Sequence, residues 1–128
     1  MMDELVFDTS ILVDHLRGVR NATALIEKVK EGLIVGHISI LTEAELFAGR
    51  DSEDLNRRAL LVELLSLFNK TDMNEVIARI TGEFKRKYGI SLADAIIAAT
   101  AFILRSKLIT QNMKDFTKIK EISVEKPY

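Results

Sequence analysis

The fold of this chain is decided by Leu5-Val6-Phe7-Asp8-Thr9-Ser10-Ile11-Leu12. Its three leading apolar residues are typical of a buried strand, which stops at an aspartate followed by two hydroxyl residues. Apolar residues then recur at helical spacing as far as Leu16, and Gly18 follows where a helix would end. The stretch therefore predicts a strand, a polar turn at Asp8 and a helix.

The same alternation of strand and helix continues outward from this opening. Further strands are expected at residues 33–38, 67–70, 108–110 and 122–124, and further helices at residues 21–31, 39–49, 59–67, 74–87 and 93–104. Such an order implies right-handed crossovers and an α/β fold with a short, mostly parallel sheet of four to five strands and helices on both faces. The last residues, around Pro127, are expected to be frayed.

Length and composition limit the class of protein. A chain of 128 residues with 48% hydrophobic and 29% charged residues fits a single globular domain, 1–128. It has no cysteine, which excludes disulfides and thiolate zinc sites and favours a cytoplasmic location. The opening Met1-Met2-Asp3-Glu4 is acidic, unlike a signal peptide, and the longest apolar run, residues 95–104, is too short to cross a membrane.

Three acidic residues each have a simple structural explanation when taken alone. Asp8 follows a strand and could cap the next helix. Thr42 with Glu45, and Ser91 with Asp94, each match a capping box, in which a hydroxyl and an acid three residues later cap a helix together. Taken singly, a cap or a solvated acid is therefore the better interpretation of each acid.

Their combination favours a metal site. Asp8 lies at a strand end, and Glu45 and Asp94 lie in the first turns of helices expected on the same side of the sheet. Converging carboxylates repel one another unless a cation is present, and Mg²⁺ prefers oxygen ligands. Asp94 is also the only charged residue between Tyr88 and Arg105, so its carboxylate needs a partner in an apolar setting.

Four short strings, at residues 7–14, 42–49, 92–101 and 108–116, resemble the PIN-domain family, specifically VapC-type toxins. The resemblance spans nearly the whole chain and implies a three-layer α/β/α fold. It also implies an endoribonuclease that depends on Mg²⁺ or Mn²⁺, with Asp8, Glu45 and Asp94 on the three main acidic positions. In such an enzyme the metal would activate a water to attack the scissile phosphate.

The same resemblance assigns supporting roles and leaves a fourth position open. It places Thr9 and Ser10 close to the metal, and Thr110 beside a carboxylate. Asn112 stands where some relatives carry aspartate, and Asp115 follows before Phe116. Either Asn112 or Asp115 can therefore fill the fourth catalytic position.

Partners follow in part from this resemblance, which implies an RNA substrate, a homodimer and a cognate antitoxin inserted near the acidic site. The net charge of −1 gives no general attraction to RNA, so backbone contacts would come from local cations: Arg17, Arg20, Arg50, Lys85, Arg86, Lys87 and Lys114. The leucine-rich stretch 60–68 suits either a protein interface or a buried core helix.

Two rival functions remain to be compared. A haloacid-dehalogenase-like phosphatase needs a second aspartate two residues after the first, and this chain has Ser10 there. A non-catalytic PIN-like module that binds RNA or acts as a scaffold is compatible with Asn112 but leaves the three acids unexplained. His15 and His37, the only histidines, are interpreted as surface and core residues.

Overall fold

A computed structural model describes residues 3–128, so Met1 and Met2 of the acidic opening lie outside the described residues. The described chain contains five strands, β1 (Asp3–Phe7), β2 (Ile34–Ser39), β3 (Asn69–Thr71), β4 (Lys107–Ile109) and β5 (Val124–Glu125). It also contains seven α-helices, α1 (Thr9–Leu16), α2 (Arg20–Lys30), α3 (Ile40–Phe47), α4 (Leu55–Leu65), α5 (Glu75–Tyr88), α6 (Leu92–Leu104) and α7 (Met113–Phe116).

The strands form one sheet in the order β3-β2-β1-β4-β5, and every neighbouring pair is parallel. Strand β1 is central, with Val6 paired to His37 of β2 and to Leu108 of β4. The sheet is parallel and β3 is an outermost strand, as the sequence predicts. Because the strands are parallel, the residues that follow β1, β2 and β4 meet at one edge of the sheet.

Helices cover both faces of the sheet, because successive strand residues point to opposite sides. Phe7 and Ile109 face a hydrophobic cluster built with α1, α2 and α4. Val6 and Leu108, one position earlier in the same strands, face a second cluster built with α5 and α6. The predicted three-layer α/β/α arrangement is confirmed.

Gly36 in β2 lies directly beneath an aromatic side chain of the first cluster. A Cβ atom at this position would come within 2.7 Å of the ring of Phe68 and 3.2 Å of Val29. The same Phe68 ring packs edge-on against Phe7, with ring centroids 5.0 Å apart. Glycine at position 36 therefore lets this ring approach the backbone of β2.

Two helices keep apolar side chains on the outside. In α4, Leu61, Leu64 and Leu65 are buried, whereas Leu60 and Val62 are exposed. The core interpretation of the stretch 60–68 thus holds for one side of the helix, and the other side leaves leucine and valine uncovered. Helix α6, although apolar nearly all round, likewise leaves residues uncovered at its two ends, namely Leu92, Phe102 and Ile103.

Three sequence expectations need correction. The polar segment after β4 contains the short helix α7, which forms around the fully buried Phe116. The polar stretch after α3 contains a 3₁₀ turn, Arg50–Ser52. The frayed end is wrong, because Tyr128 is half-buried and hydrogen-bonded to Asp14 and Gln111.

Across residues 3–128, none of the helices combines the length and apolar character that crossing a membrane requires.

Candidate active site

Asp8 lies at the centre of the sheet edge and is only 6% exposed. Its Oδ2 atom accepts two hydrogen bonds, from Ser10 Oγ and from Thr110 Oγ1, each 2.7 Å long. Asp8 stands at the N-cap position of α1, yet its side chain caps no backbone N–H. The capping interpretation of this side chain is therefore wrong, because the two hydroxyl groups orient it instead.

The segment after β4 supplies one of these hydroxyl groups and closes the site. Thr110 is fully buried, and its Oγ1 accepts a hydrogen bond of 2.9 Å from the backbone N–H of Asn112. The backbone N–H of Gln111 donates to Ser10 Oγ over 3.2 Å. The side chain of Asn112 is exposed. Thr110 therefore contacts Asp8 directly. The backbone N–H groups of the next two residues, Gln111 and Asn112, donate to the hydroxyl groups of Ser10 and Thr110.

Glu45 reaches the edge from α3, which follows β2. It is exposed, and its Oε1 accepts a 2.7 Å hydrogen bond from Thr9 Oγ1. A further hydrogen bond of 2.9 Å joins Thr9 Oγ1 to Oγ1 of the buried Thr42. Helix α3 is capped by Ser39, whose Oγ accepts from Leu41 N, so Thr42 is not its cap. The capping-box explanation of Glu45 is wrong for that reason.

Asp94 lies half-buried in the first turn of α6. Its backbone N–H donates to Ser91 Oγ over 3.1 Å, so the predicted cap by Ser91 exists. Burial raises the pKa of the Asp94 carboxyl, and so does the negative charge of Asp8 nearby. The charges of Asp115 and Glu45 act on the pKa in the same direction, more weakly. The negative charges of Asp8, Asp115 and Glu45 therefore all raise the pKa of Asp94.

These acids differ in how far they are neutralised. Asp115, half-buried in α7, forms an ion pair with Lys118, its carboxylate 3.3 Å from the Lys118 ammonium. In the described part of the chain, Asp8, Glu45 and Asp94 form no ion pair with any lysine, arginine or histidine. Within residues 3–128, these three carboxylates are therefore a concentration of negative charge with no ion-pair partner, unlike Asp115.

The donor set suits a hard divalent ion in chemistry and charge, but it is not a closed cage. Among residues 3–128, no three acidic or histidine side chains are close enough to form a ready-made ligand group. Mg²⁺ commonly takes one or two carboxylates and keeps several waters, so it does not need such a group. The free Oδ1 of Asp8, which accepts no hydrogen bond from the described residues, is the best-prepared ligand atom.

A cationic side chain borders this edge. A cavity of about 220 Å³ is lined by Arg17, Glu45 and Asp51, together with Gly49 and apolar residues of α1 and α3. Arg17 makes no ion pair within the described residues, unlike Lys118. By contrast, both histidines have other partners, Thr23 for His15 and Glu4 for His37.

Comparison with known proteins agrees with this arrangement. The PIN domain family matches residues 5–122. The chain belongs to the PIN-domain family. Within that family it is 36% identical to ribonuclease VapC19 of Mycobacterium tuberculosis, over 96% of this chain and 98% of that protein. It is 28% identical to ribonuclease VapC2 of Methanocaldococcus jannaschii, over 91% and 89% of the two chains.

Solved structures show the same fold. This PIN domain superimposes on a toxin-antitoxin complex from Klebsiella pneumoniae with a TM-score of 0.81 and 34% identity, over 97% of this chain and 98% of that one. A DNA-bound VapBC structure from Salmonella typhimurium gives a TM-score of 0.80 at 20% identity, over 99% and 100% of the chains. At that identity the likeness concerns the fold alone.

The sequence of this PIN domain did not indicate a role in the site for three residues that the structure places at or next to it. Thr42 binds Thr9, Gln111 binds Ser10, and Tyr128 binds Asp14 and Gln111. Thr42 carries a usable signal, because it lies three residues before Glu45 on one helix and so faces the same side. Gln111 and Tyr128 carry no such signal. Gln111 contacts Ser10 through its backbone N–H, and Tyr128 contacts Asp14, which lies 114 residues earlier in the sequence.

Proposed function

We propose that this PIN domain is a metal-dependent endoribonuclease and the toxin of a VapBC-like toxin-antitoxin pair. The observation that carries the proposal is the group of three carboxylates, Asp8, Glu45 and Asp94. Among residues 3–128 they form no ion pair, and Asp8 Oδ1 accepts no hydrogen bond. Such a group repels itself and is stabilised by a divalent cation. The names of the relatives, ribonuclease VapC, support the choice of RNA as substrate.

Mg²⁺ or Mn²⁺ would be held by Asp8 and Asp94, directly or through water, with Glu45 as a further ligand or as the base. When bound, the ion would lower the pKa of a coordinated water and offset charge on the phosphate. Ser10 and Thr110 hold Asp8 through Oδ2, which leaves Oδ1 for the ion. Thr9 holds Glu45, the residue we place closest to the attacking water.

The fourth position is better filled by Asp115 than by Asn112. Asp115 raises the pKa of Asp94 through its charge, which requires proximity, whereas the exposed Asn112 contributes a backbone N–H to Thr110. Lys118 beside Asp115 offsets part of that charge and lowers its value as a metal ligand. We therefore assign Asp115 an electrostatic role and Asn112 a role in holding Thr110.

RNA would be bound through its phosphates by cations around the edge. Arg17 is the first candidate, because it lines the same cavity as Glu45 and has no acidic partner among the described residues. Lys114, next to Asp115 in sequence, is the second. Phosphate contacts of this kind give affinity that falls with salt but little sequence preference.

The proposal includes a cytoplasmic single-domain protein that forms a homodimer and binds a cognate antitoxin. The solved relative from Klebsiella pneumoniae is a toxin-antitoxin complex, which supports the partner. The exposed leucine and valine of α4 and the exposed apolar residues of α6 supply apolar surface for both contacts. Sedimentation equilibrium of the purified chain tests the homodimer, and a mass of about 14.4 kDa would contradict it.

Cleavage of a structured RNA in Mn²⁺ or Mg²⁺ tests the activity. The variants Asp8→Asn and Asp94→Asn should each lose at least about a hundredfold in rate, since each removes charge from the ion site. Glu43→Gln is the matched control. Glu43 lies on α3 with Glu45, but it pairs with Lys70 of the outer strand β3, 2.5 Å away. It should cleave as fast as the wild type.

The alternative is a non-catalytic module that binds RNA without cutting it. Cleavage that survives both aspartate substitutions would come from a contaminating nuclease. That result would contradict the proposed metal site and favour the non-catalytic module. Thermal unfolding gives an independent measurement, because an ion that binds only the folded protein raises its melting temperature. An unchanged melting temperature in millimolar Mn²⁺ would also favour the module.

A further inference from the structure

Tyr128 ties the last residues of the sequence to two other segments. Its hydroxyl donates a 2.7 Å hydrogen bond to Asp14 Oδ2 on α1. Its main-chain oxygen accepts a 3.2 Å hydrogen bond from Gln111 Nε2, and its ring packs against the first hydrophobic cluster. Three segments that are far apart in sequence are thus joined at one residue, through its side chain and its main chain.

Gln111 continues this connection to the site. While its side chain binds Tyr128, its backbone N–H donates to Ser10 Oγ, 3.2 Å away. Ser10 in turn donates to Asp8 Oδ2 over 2.7 Å. Thr110, immediately before Gln111, donates to the same oxygen. Displacement of Gln111 from α1 would therefore break its hydrogen bond to Ser10 and shift Thr110, so it would disturb both donors that orient Asp8.

The hydroxyl of Tyr128 is suited to a permanent donor role. Burial raises the pKa of Tyr128, and the hydrogen bond to Asp14 and the charge of Asp14 raise it further. The hydroxyl therefore stays protonated wherever the fold is stable. A hydrogen bond from a neutral hydroxyl to a carboxylate is also stronger than one between two neutral groups.

We propose that Tyr128 is a positioning residue for the carboxylate site, which it serves by clamping the segment after β4 against α1. This rests on the proposed metal-dependent function. Tyr128 touches none of the three acids and acts through Gln111 and Ser10. Supporting residues of this kind typically change metal affinity or activity by about 10 to 100-fold when they are removed.

The variant Tyr128→Phe tests the clamp, because it keeps the ring and removes only the hydroxyl. Isothermal titration with MnCl₂ should give a dissociation constant about tenfold weaker than that of the wild type. Hydrogen exchange should show the Gln111 and Asn112 amides exchanging at least about tenfold faster, with exchange in β1 unchanged. This second measurement needs no metal.

The chain provides a matched control in its other tyrosine. The Tyr88 hydroxyl also donates to a carboxylate, that of Glu121, but the pair contacts none of the site residues. Tyr88→Phe should leave the affinity for Mn²⁺ and the exchange of the Gln111 amide unchanged, even if it lowers the melting temperature. A role of Tyr128 in stability alone predicts the same pattern for both variants.

A second variant, Gln111→Met, removes the other half of the clamp and keeps the backbone N–H. It should weaken Mn²⁺ binding as Tyr128→Phe does, and the double variant should lose less than the product of the two single effects. Wild-type affinity and exchange rates in Tyr128→Phe would overturn the clamp. Failure of the wild type to bind Mn²⁺ would instead overturn the proposed function, whereas the exchange rates would still report on the clamp.

Discussion

At Asp8, the two oxygens of one carboxylate are in different environments. Oδ2 accepts hydrogen bonds from Ser10 and Thr110, whereas Oδ1 accepts none from the described residues. Two donors on one oxygen fix the plane of the carboxylate. The buried side chain is thereby held in one orientation.

Thr110→Val should weaken metal binding while preserving the shape of the buried side chain. The valine cannot donate to Asp8, so the carboxylate loses one of its two fixed bonds. We expect the dissociation constant for Mn²⁺ to rise about 10 to 100-fold by titration calorimetry. Thr117→Val is the control, because that hydroxyl donates to the Met113 carbonyl in α7 and is exposed. Equal affinities of the two variants would contradict this role of Thr110.

Asp94→Asn should raise the melting temperature of the metal-free protein at neutral pH. The pKa of Asp94 is raised in the folded state, chiefly by burial and then by Asp8, so the ionised carboxylate opposes folding. Protonation of Asp94 therefore favours the fold: this contribution is fully present below the ordinary pKa of 3.8 and is lost as the pH rises through the raised value.

The advantage of Asp94→Asn should accordingly shrink as the pH is lowered in metal-free buffer. Thermal unfolding monitored by circular dichroism between acidic and neutral pH measures the difference between the variant and the wild type. A difference that does not depend on pH would show that repulsion at Asp94 is not the cause. In Mn²⁺ the order should reverse, because the wild type alone keeps the full ligand set.

Strand β2 depends on the absence of a side chain at one position. Gly36→Ala would place a Cβ 2.7 Å from the buried Phe68 ring, which is itself held by Phe7. We expect the free energy of unfolding to fall by about 1–3 kcal/mol, as for other overpacked cores. Chemical denaturation measures this change.

Gly82→Ala is the matched control for that substitution. Gly82 lies within α5, and a Cβ there meets no atom within 4 Å. Alanine should raise stability by about 0.5–1 kcal/mol, since glycine is unfavourable inside a helix. A Gly36→Ala protein as stable as Gly82→Ala would mean that Phe68 moves aside without cost.

Strong periodicity made most elements predictable from the sequence. Helix α5 repeats apolar residues at helical spacing between the cap Asn74 and Gly89, and the structure places both ends within a residue of the prediction. The short helix α7 has too few residues to show a period, and it forms because Phe116 is buried by the rest of the fold. Tertiary burial of this kind leaves no local pattern.

The sequence indicated the residues of the candidate site and predicted that Thr110 lies beside a carboxylate, but it did not indicate which acid Thr110 contacts. A cap and a buried, hydroxyl-bound acid look alike in sequence, so Asp8 could not be distinguished from a capping residue until Thr110 was placed beside it. The partner lies 102 residues away. For Asp94 the predicted cap exists, because Ser91 caps the helix, and the charge of Asp8 also raises the pKa of the Asp94 side chain.

On the scale of the whole molecule, adjoining cavities that share lining residues extend from α2 and α4 to Glu45, and together they form one groove. A cavity of about 300 Å³ between α1, α2 and α4 and the smaller cavity beside Glu45 are both lined by Leu16. Leu60, 62% exposed, lines the first of these. This groove is the surface on which we place the proposed antitoxin.

Leu60→Glu should therefore weaken the complex with a co-expressed cognate antitoxin while leaving RNA cleavage unchanged. A charge in the groove costs the desolvation of a carboxylate when the partner covers it. Retention of the antitoxin on affinity-tagged protein measures the effect. Val76→Glu is the control, because Val76 is similarly exposed on α5, beyond the opposite face of the sheet. Equal loss of antitoxin from both variants would place the partner elsewhere.

The bonds on Asp8 also set the order in which the protein gains activity during its synthesis. Thr110, a donor to Asp8, is translated 102 residues after it, and Tyr128 later still. A growing chain can contain β1, α1 and β2 while Asp8 still lacks the hydrogen bond from Thr110. For a nuclease made beside messenger RNA, the active site is then completed only after the segment that carries Thr110 has been translated.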